Sequence, residues 1–339
     1  AGIVTVASLG NGGDSGPVGT HGTLKLGNTT TAGILIYTGA GETSNRVIDL
    51  AGTTGGATLQ HDGSGALILS ANPTVTGAGV KILTLAGTST AANELQGVIA
   101  NGASNTAVTK SGTGTWRLSG VNTYAGATTV SAGTLVATNS ASFGTSTLRM
   151  AGGGEQGSCR WPTFTNALTI SANSILGGAS DLTFSGNFNL GATIRTLTVS
   201  NTGATTFSGI LSNTAGFGKA GAGTLTLSGN NTYGGTTSLT AGTLVVGHNS
   251  ALGTSTLALG GGTLAGDGTA RTLTNTRTQS ATATIGGTSD LTLSGTQTNS
   301  NTVTLNIANT ALTTLGAINL SNSATNRTLT LNTTGGDVT

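Results

Sequence analysis

The sequence predicts an all-β chain, and within that class a parallel β-helix (β-solenoid) forming a single elongated rod of stacked turns of about 20 residues. Three observations predict it. The tripeptide Gly-Thr-Leu recurs at nearly constant spacing, beginning at Gly223, Gly242 and Gly262. Apolar residues alternate with Thr or Ser between these points. The composition combines 58 Gly with only 3% aromatic and 6% charged residues, which favours thin strand layers over packed helices.

The alternation inside each short strand assigns an inner and an outer face. Leu225 and Leu227 fall on one face of their strand, and the neighbouring Thr and Ser residues fall on the other. The same rule turns Trp116 and Leu118 inward and Arg117 outward. Pairs such as Ala-Gly, Asp-Gly and Ser-Gly follow the strands and predict tight corners, some with positive φ. No segment shows the apolar stripe at helical spacing that would indicate a helix.

A second, longer repeat contains several of these short periods. Residues 110–186 match residues 219–295 at an offset of 109, and 24 of the first 44 aligned positions are identical. Repeats of both lengths along the chain indicate duplication of a multi-turn unit rather than separate globular domains. We therefore expect residues 1–339 to form one continuous β-solenoid.

Two stretches carry a family resemblance: KSGTGTWRLSGVNTYAGATTVSAGTL, from Lys110, and KAGAGTLTLSGNNTYGGTTSLTAGTL, from Lys219. Both resemble the autotransporter-associated β-strand repeat, also called the passenger-associated transport repeat, of bacterial secreted and surface proteins. The resemblance implies a right-handed parallel β-helix on the cell exterior. It brings no catalytic residues with it.

Composition argues against several function classes. The net charge is +2 and the twelve Lys and Arg residues are scattered, so no nucleic-acid interface is expected. The apolar runs are too short for a membrane-spanning helix. One cysteine, Cys159, allows neither an intrachain disulfide nor a multi-cysteine metal site. Cys159 is interpreted either as a small buried hydrophobic residue or as an intermolecular cross-link.

A few motifs resemble catalytic or metal-binding patterns. Gly12 to Pro17 reads GGDSGP, similar to the nucleophile loop of trypsin-like proteases with Ser15 as the nucleophile. That family places its His and Asp before the serine, whereas His21, His61 and His248 all follow Ser15. We expect a turn at Ser15 and solvated loop positions for the three histidines, which lack metal-ligand spacing.

Carboxylates are candidate catalytic groups because some parallel β-helices cleave polysaccharides with a pair of acids. Asp181 and Asp290 occupy equivalent positions of the long repeat, hence about five turns and roughly 25 Å from each other. Asp62-Gly63 and Asp267-Gly268 are predicted corners. We expect no catalytic, cofactor-binding or metal-binding residue, no cofactor, and no enzyme activity from the candidate acids, which are Glu42, Glu94, Glu155, Asp181 and Asp290.

The repeated phrase Asn-Thr-Tyr places Asn122 near Tyr124 and Asn231 near Tyr233. One interpretation is a sugar-stacking surface. The other, which we favour, is an Asn that satisfies backbone groups and a Tyr that covers the flank of the coil.

These observations predict a non-enzymatic structural protein, a segment of an extracellular bacterial surface rod or filament. We expect it to associate end to end through stacked strands or to continue into further repeats of a longer chain, because neither end of the sequence resembles a cap. The alternative is an adhesin-type autotransporter passenger that displays a cell-binding or glycan-binding surface.

Overall fold

A computed structural model describes residues 2–157, 162–299, 301–320 and 327–339. Every regular element in these ranges is a β-strand, and none is a helix. The chain divides into two compact units, Ala1–Ala167 and Leu168–Thr339. Each unit is a parallel β-solenoid, in which successive turns of the chain place strands side by side in the same sheets.

The first unit is built from parallel strands in two main sheets. One sheet has the order β1-β3-β6-β8-β10-β12-β14, and the other β4-β7-β9-β11-β13-β15, while β2 pairs with β5. The strands are β1 Gly2–Val6, β2 Thr23–Leu26, β3 Gly33–Tyr37, β4 Glu42–Ser44, β5 Val47–Leu50, β6 Ala57–His61, β7 Leu67–Leu69, β8 Lys81–Gly87, β9 Asn93–Leu95, β10 Thr106–Lys110, β11 Thr115–Leu118, β12 Thr128–Val130, β13 Thr134–Ala137, β14 Leu148–Met150, β15 Gly154–Gly157 and β16 Thr163–Phe164.

The second unit is also built from parallel sheets, and one turn of the chain contributes strands to as many as three of them. Its sheets have the orders β18-β21-β24-β26-β28-β31-β34-β37, β19-β22-β25-β27-β29-β32-β35-β38 and β30-β33-β36, and a further set is β17-β20-β23. The strands are β17 Leu168–Ile170, β18 Ser174–Gly178, β19 Leu182–Phe184, β20 Phe188–Asn189, β21 Arg195–Val199, β22 Thr205–Phe207, β23 Leu211–Ser212, β24 Phe217–Ala220, β25 Thr224–Leu227, β26 Thr237–Leu239, β27 Thr243–Val246, β28 Leu257–Leu259, β29 Thr263–Gly266, β30 Arg271–Leu273, β31 Arg277–Gln279, β32 Ala283–Gly286, β33 Leu291–Leu293, β34 Gln297–Asn299, β35 Val303–Ile307, β36 Thr313–Leu315, β37 Ile318–Asn319 and β38 Leu329–Thr333.

The core of each unit is the interior of the coil. Buried and partly exposed residues alternate along most strands. In β25, Leu225 and Leu227 are buried, and Thr224 and Thr226 face outward. Trp116 is 1% exposed and its indole Nε1 donates to Ala86 O at 2.9 Å. The alternation predicted from the sequence, including the inward Trp116 and Leu118, is confirmed.

The length of a turn varies more than the sequence period indicates. In the repeated segments Val108 pairs with Thr128 and Thr224 pairs with Thr243, so each of these turns takes about 20 residues. Near the start of the chain Gly2 pairs with Gly33, and the stretch between them is about half as long again. The additional residues of the longer turns form loops that take no part in strand pairing. The predicted period therefore holds in the repeated segments and is exceeded elsewhere.

Candidate functional site

The most distinctive chemistry of the chain lies inside its two repeated segments, where one asparagine side chain links three successive turns. Asn231 is 3% exposed. Its Oδ1 accepts from Leu211 N at 2.8 Å, and its Nδ2 donates to Ala251 O at 2.6 Å. These two partners lie 20 residues before and 20 residues after Asn231. Each side-chain bond therefore satisfies a backbone group of a neighbouring turn.

The first repeat has the same arrangement around Asn122. Its Oδ1 accepts from Ile99 N at 2.8 Å, and its Nδ2 donates to Ser142 O at 2.8 Å. The backbone donor again belongs to the preceding turn and the acceptor to the following one. Asn122 thus matches Asn231 in sequence and in bonding.

A tyrosine and a threonine complete this network in each repeat. Tyr233 OH lies 2.7 Å from Thr237 Oγ1, which lies 2.9 Å from Ser255 Oγ. Tyr124 OH lies 2.5 Å from Thr128 Oγ1. Burial raises the pKa of the Tyr233 phenol well above its ordinary value. We call these residues the polar bridges; their members are Asn122, Tyr124 and Thr128 in the first repeat and Asn231, Tyr233 and Thr237 in the second.

The polar bridges have no face on which a sugar could stack. Tyr124 and Tyr233 are both 0% exposed. The prediction that the Asn side chains satisfy backbone groups is confirmed. The expected place of the tyrosines on the flank of the coil is wrong. Their rings lie in the interior because the Thr hydroxyl provides a buried partner for the phenol.

Each repeat also contains a fully buried lysine. Lys110 Nζ donates to Ser111 O at 2.6 Å, Gly112 O at 2.8 Å and Ala132 O at 3.2 Å. The last of these acceptors belongs to the next turn. We call Lys110 and its counterpart Lys219 the lysine sites.

Lys219 has equivalent acceptors, Ala220 O, Gly221 O and Ala241 O, at 3.1, 2.9 and 3.1 Å. Burial lowers the pKa of Lys110 and of Lys219 to about 8. Sequence reasoning missed both lysines. The signal was present, since the period of two places Lys110 on the same side of its strand as Val108.

The protease-like loop is held by hydrogen bonds from a buried arginine. Arg46 is 0% exposed; its Nε donates to Leu9 O at 2.7 Å, its Nη2 to Gly19 O at 2.7 Å, and its Nη1 to His21 O. Ser15 lies in the exposed loop fixed by these bonds. In the described part of the chain no hydrogen bond joins Ser15 to a histidine.

The prediction that all three histidines are solvated is wrong for His61. This side chain is 1% exposed, and its ring centroid lies 5.0 Å from that of Tyr37. Its Nδ1 accepts from Gly63 N at 3.2 Å, while its Nε2 is buried without a partner. The physical reason is the alternation of β6, which turns Ala57, Leu59 and His61 to the inside. His21 is exposed and His248 is partly exposed, as expected.

The buried His61 predicts a pH-dependent stability. Desolvation lowers the pKa of His61 below its ordinary 6.5, so the unfolded chain binds more protons than the folded chain between the lowered value and 6.5. The free energy of unfolding is therefore expected to fall as the pH drops from 7.5 through about 6.5. Urea unfolding at a series of pH values measures this. His61→Asn, which keeps an acceptor for Gly63 N, is expected to remove the dependence.

Other titratable groups near His61 do not account for a change in this pH range. The pKa of Asp62 is lowered from 3.8, chiefly by Gln60, and the pKa of Tyr37 is raised from 10.0 by burial. Both titrate outside the interval. An equal pH dependence in wild type and His61→Asn would contradict the assignment.

The candidate acids bind their neighbours in the coil. Asp181 Oδ1 accepts from Ala204 N at 2.7 Å, and its duplicate Asp290 accepts from Leu312 N at 3.1 Å. Four further carboxylates accept from backbone or side-chain donors: Glu42 from Ser8 Oγ and Gly10 N, Glu94 from Gln96, Asp62 from Thr88 N, and Asp267 from Arg271 at 2.6 Å.

The described residues include no group of three or more His, Cys, Asp or Glu side chains that could hold a metal ion. Cys159 lies outside the described residues, and so does the side chain of Glu155. The part of the chain that is described also has no helix long and apolar enough to span a membrane.

Comparison with known proteins agrees with the repeat found in the sequence. The model of the passenger-associated transport repeat matches residues 108–137 and 217–246, the two segments that contain the polar bridges and lysine sites. The Adhesin BmaC autotransporter of Brucella suis biovar 1 (strain 1330) is 33% identical over 293 residues. The match covers 75% of this chain and only 8% of that protein. No solved structure matches the chain significantly.

Proposed function

We propose, because the chain contains two passenger-associated transport repeats, that it is a non-enzymatic structural segment of a bacterial passenger domain at the cell surface or outside the cell. The observation that carries the proposal is the polar bridge, in which one Asn side chain satisfies backbone groups of the turns on both sides. A solenoid of this kind gains length by adding turns, since its stability is roughly a sum over neighbouring turns. Such a segment suits a spacer.

Placement of the candidate residues supports a mechanical role over a chemical one. Four candidate carboxylates bond to backbone N–H groups or to neighbouring side chains: Glu42, Glu94, Asp181 and Asp290. The aromatic rings of Trp116, Tyr124 and Tyr233 are buried. The interior polar groups bond mainly to backbone atoms of adjacent turns. Backbone ladders and buried bridges would then resist extension along the axis of each unit.

Stretching single molecules tests the spacer role. The 339-residue chain, attached at both ends in an optical trap, is expected to lengthen in steps of one turn or a few turns, each turn releasing about 70 Å of chain for about 20 residues. The proposal would be contradicted if each unit lost its structure without such steps, at forces no higher than those that extend an unfolded chain.

A second candidate function, an adhesive surface, is favoured by the name of the Brucella relative, which is an adhesin. Beads coated with the chain can be tested on cultured cells and on a glycan array, with beads carrying an unrelated β-solenoid as the control. Retention equal to the control is expected for a spacer. Retention above the control, lost on competition with the soluble chain, would establish adhesion.

Open strand edges support the proposed end-to-end association with a second copy. Strand β1 pairs with β3 on one side, and four of its five residues are exposed. Strand β38 pairs with β35, and four of its five residues are also exposed. Unpaired edges of this kind pair readily with other strands. Filaments that grow with protein concentration in electron micrographs are expected; particles of constant length at all concentrations would contradict self-association.

A further inference from the structure

Four buried polar side chains form a cluster in the interior of the second unit. We call them the Arg277 cluster; its members are Arg277, Gln279, Gln297 and Asn299. None of these side chains is more than 2% exposed. Arg277 and Gln279 lie on β31, directly beside Gln297 and Asn299 on β34.

Apolar side chains occupy the positions that correspond to the cluster at the offset of 109 residues. The residues 109 positions earlier, all at most 4% exposed, are Leu168, Ile170, Phe188 and Leu190. Leu168 pairs with Phe188 in the same register as Arg277 with Gln297. Phe188 also stacks on Phe207 with ring centroids 4.3 Å apart. The coil can therefore be built without polar groups at these positions, and the Arg277 cluster needs a separate explanation.

Hydrogen bonds inside the cluster use only some of its donors. Gln297 Nε2 donates to Gln279 Oε1 at 2.9 Å and to Asn299 Oδ1 at 3.0 Å. Arg277 Nη1 donates to Leu293 O at 2.6 Å, and its Nε contacts Gln297 Oε1 at 3.4 Å. Two buried donors, Arg277 Nη2 and Asn299 Nδ2, have no acceptor.

The positive charge of Arg277 has no negatively charged partner among the described residues. Burial lowers the pKa of Arg277 to about 10, so the side chain is still charged at neutral pH. An unpaired buried charge is strongly destabilising.

We propose that the Arg277 cluster binds a small monovalent anion of the halide class, held by Arg277 Nη2 and Asn299 Nδ2. A halide accepts several N–H donors at once and also supplies the missing negative charge. A water molecule could accept from the donors but would leave the charge of Arg277 uncompensated. This site is independent of the spacer function proposed above, which does not involve a ligand.

Thermal unfolding of the full chain tests the proposal. Sodium gluconate is replaced stepwise by sodium chloride or bromide at constant ionic strength. A ligand that binds the folded state alone lowers the unfolding equilibrium constant about elevenfold at ten times its Kd. We expect a saturating rise in Tm for the wild type with either halide.

Variants separate the site from general salt effects. Arg277→Leu, and the fourfold change Arg277→Leu, Gln279→Ile, Gln297→Phe and Asn299→Leu that copies the earlier repeat, are expected to lose the halide dependence. Arg271→Leu, which removes a partly exposed cation paired with Asp267, is expected to keep it. The wild-type titration decides the question even where a variant does not fold.

Anomalous scattering from crystals grown in bromide gives the position of the ion. A peak within hydrogen-bond distance of Arg277 Nη2 and Asn299 Nδ2 is expected. Absence of halide dependence in the wild type would overturn the proposal. Bromide peaks at surface positions alone would indicate an adventitious ion only and would also overturn it. Halide dependence that persists in the fourfold variant would overturn it as well.

Discussion

Replacing Gly242 by alanine is expected to lower the free energy of unfolding of the second unit by about 3 kcal/mol. Gly242 has φ +67, a region that costs an L-residue roughly 1 kcal/mol or more. A Cβ on this residue would lie 2.3 Å from Gly221 O and 2.6 Å from Gly223 O. Both oxygens belong to the preceding turn, so relief requires the backbones of stacked turns to separate, which adds about 1–3 kcal/mol.

A matched control isolates the packing contribution. Gly268 also has positive φ, +94, but a Cβ there would meet no atom within 4 Å. Gly268→Ala is therefore expected to cost only about 1 kcal/mol, from backbone strain. Guanidinium unfolding followed by circular dichroism measures both variants. Equal losses would show that close stacking at Gly242 contributes nothing measurable.

The local sequence predicts some of the glycine corners but not all of them. Ala-Gly corners are predicted to supply positive φ, and Gly133 and Gly242 do so. Gly229, in a Ser-Gly corner, does not have positive φ; a Cβ there would lie 2.3 Å from Gly209 O in the preceding turn. The need for glycine at Gly229 comes from a residue one full turn away in the sequence. Such a requirement is visible only once the turns are stacked.

The apolar interior was predictable, whereas its polar members were not. Alternation with a period of two assigned Leu225, Leu227 and Trp116 correctly because burial of apolar side chains needs no specific partner. Lys110 and His61 obey the same alternation, although charged and polar side chains are usually exposed to solvent. Their burial depends on acceptors contributed by loops and neighbouring turns, and no local pattern in the sequence identifies these acceptors.

Buried polar groups in the repeats share one property, which is bonding to the backbone of an adjacent turn. Asn122 and Asn231 each reach a turn on both sides, and Lys110 and Lys219 each reach the following turn. Because the Asn partners lie 20 to 23 residues away, a slip of one residue in strand pairing would leave these groups without acceptors or donors. Apolar layers of Leu and Val would tolerate such a slip more readily. The polar groups therefore specify the register of neighbouring turns.

Lys110→Met tests this interpretation and is expected to lower the free energy of unfolding of the first unit by about 2–4 kcal/mol. Methionine has a similar length and keeps the apolar stem packed. It removes the hydrogen bonds that the charged Nζ now donates to Ser111 O, Gly112 O and Ala132 O within 3.2 Å. Hydrogen bonds to a charged group contribute about 1.5–3 kcal/mol. Removing the desolvated ammonium offsets part of this loss.

Lys25→Met provides the comparison within the same unit. Lys25 is exposed on β2, so its replacement is expected to change stability by no more than about 0.5 kcal/mol. Chemical unfolding of both variants at pH 7, below the pKa of about 8 given to Lys110 by burial, keeps the wild-type ammonium mostly charged. A Lys110→Met protein as stable as wild type would mean that desolvation of the ammonium cancels its three hydrogen bonds. In that case the lysine site would not stabilise the stacking of turns.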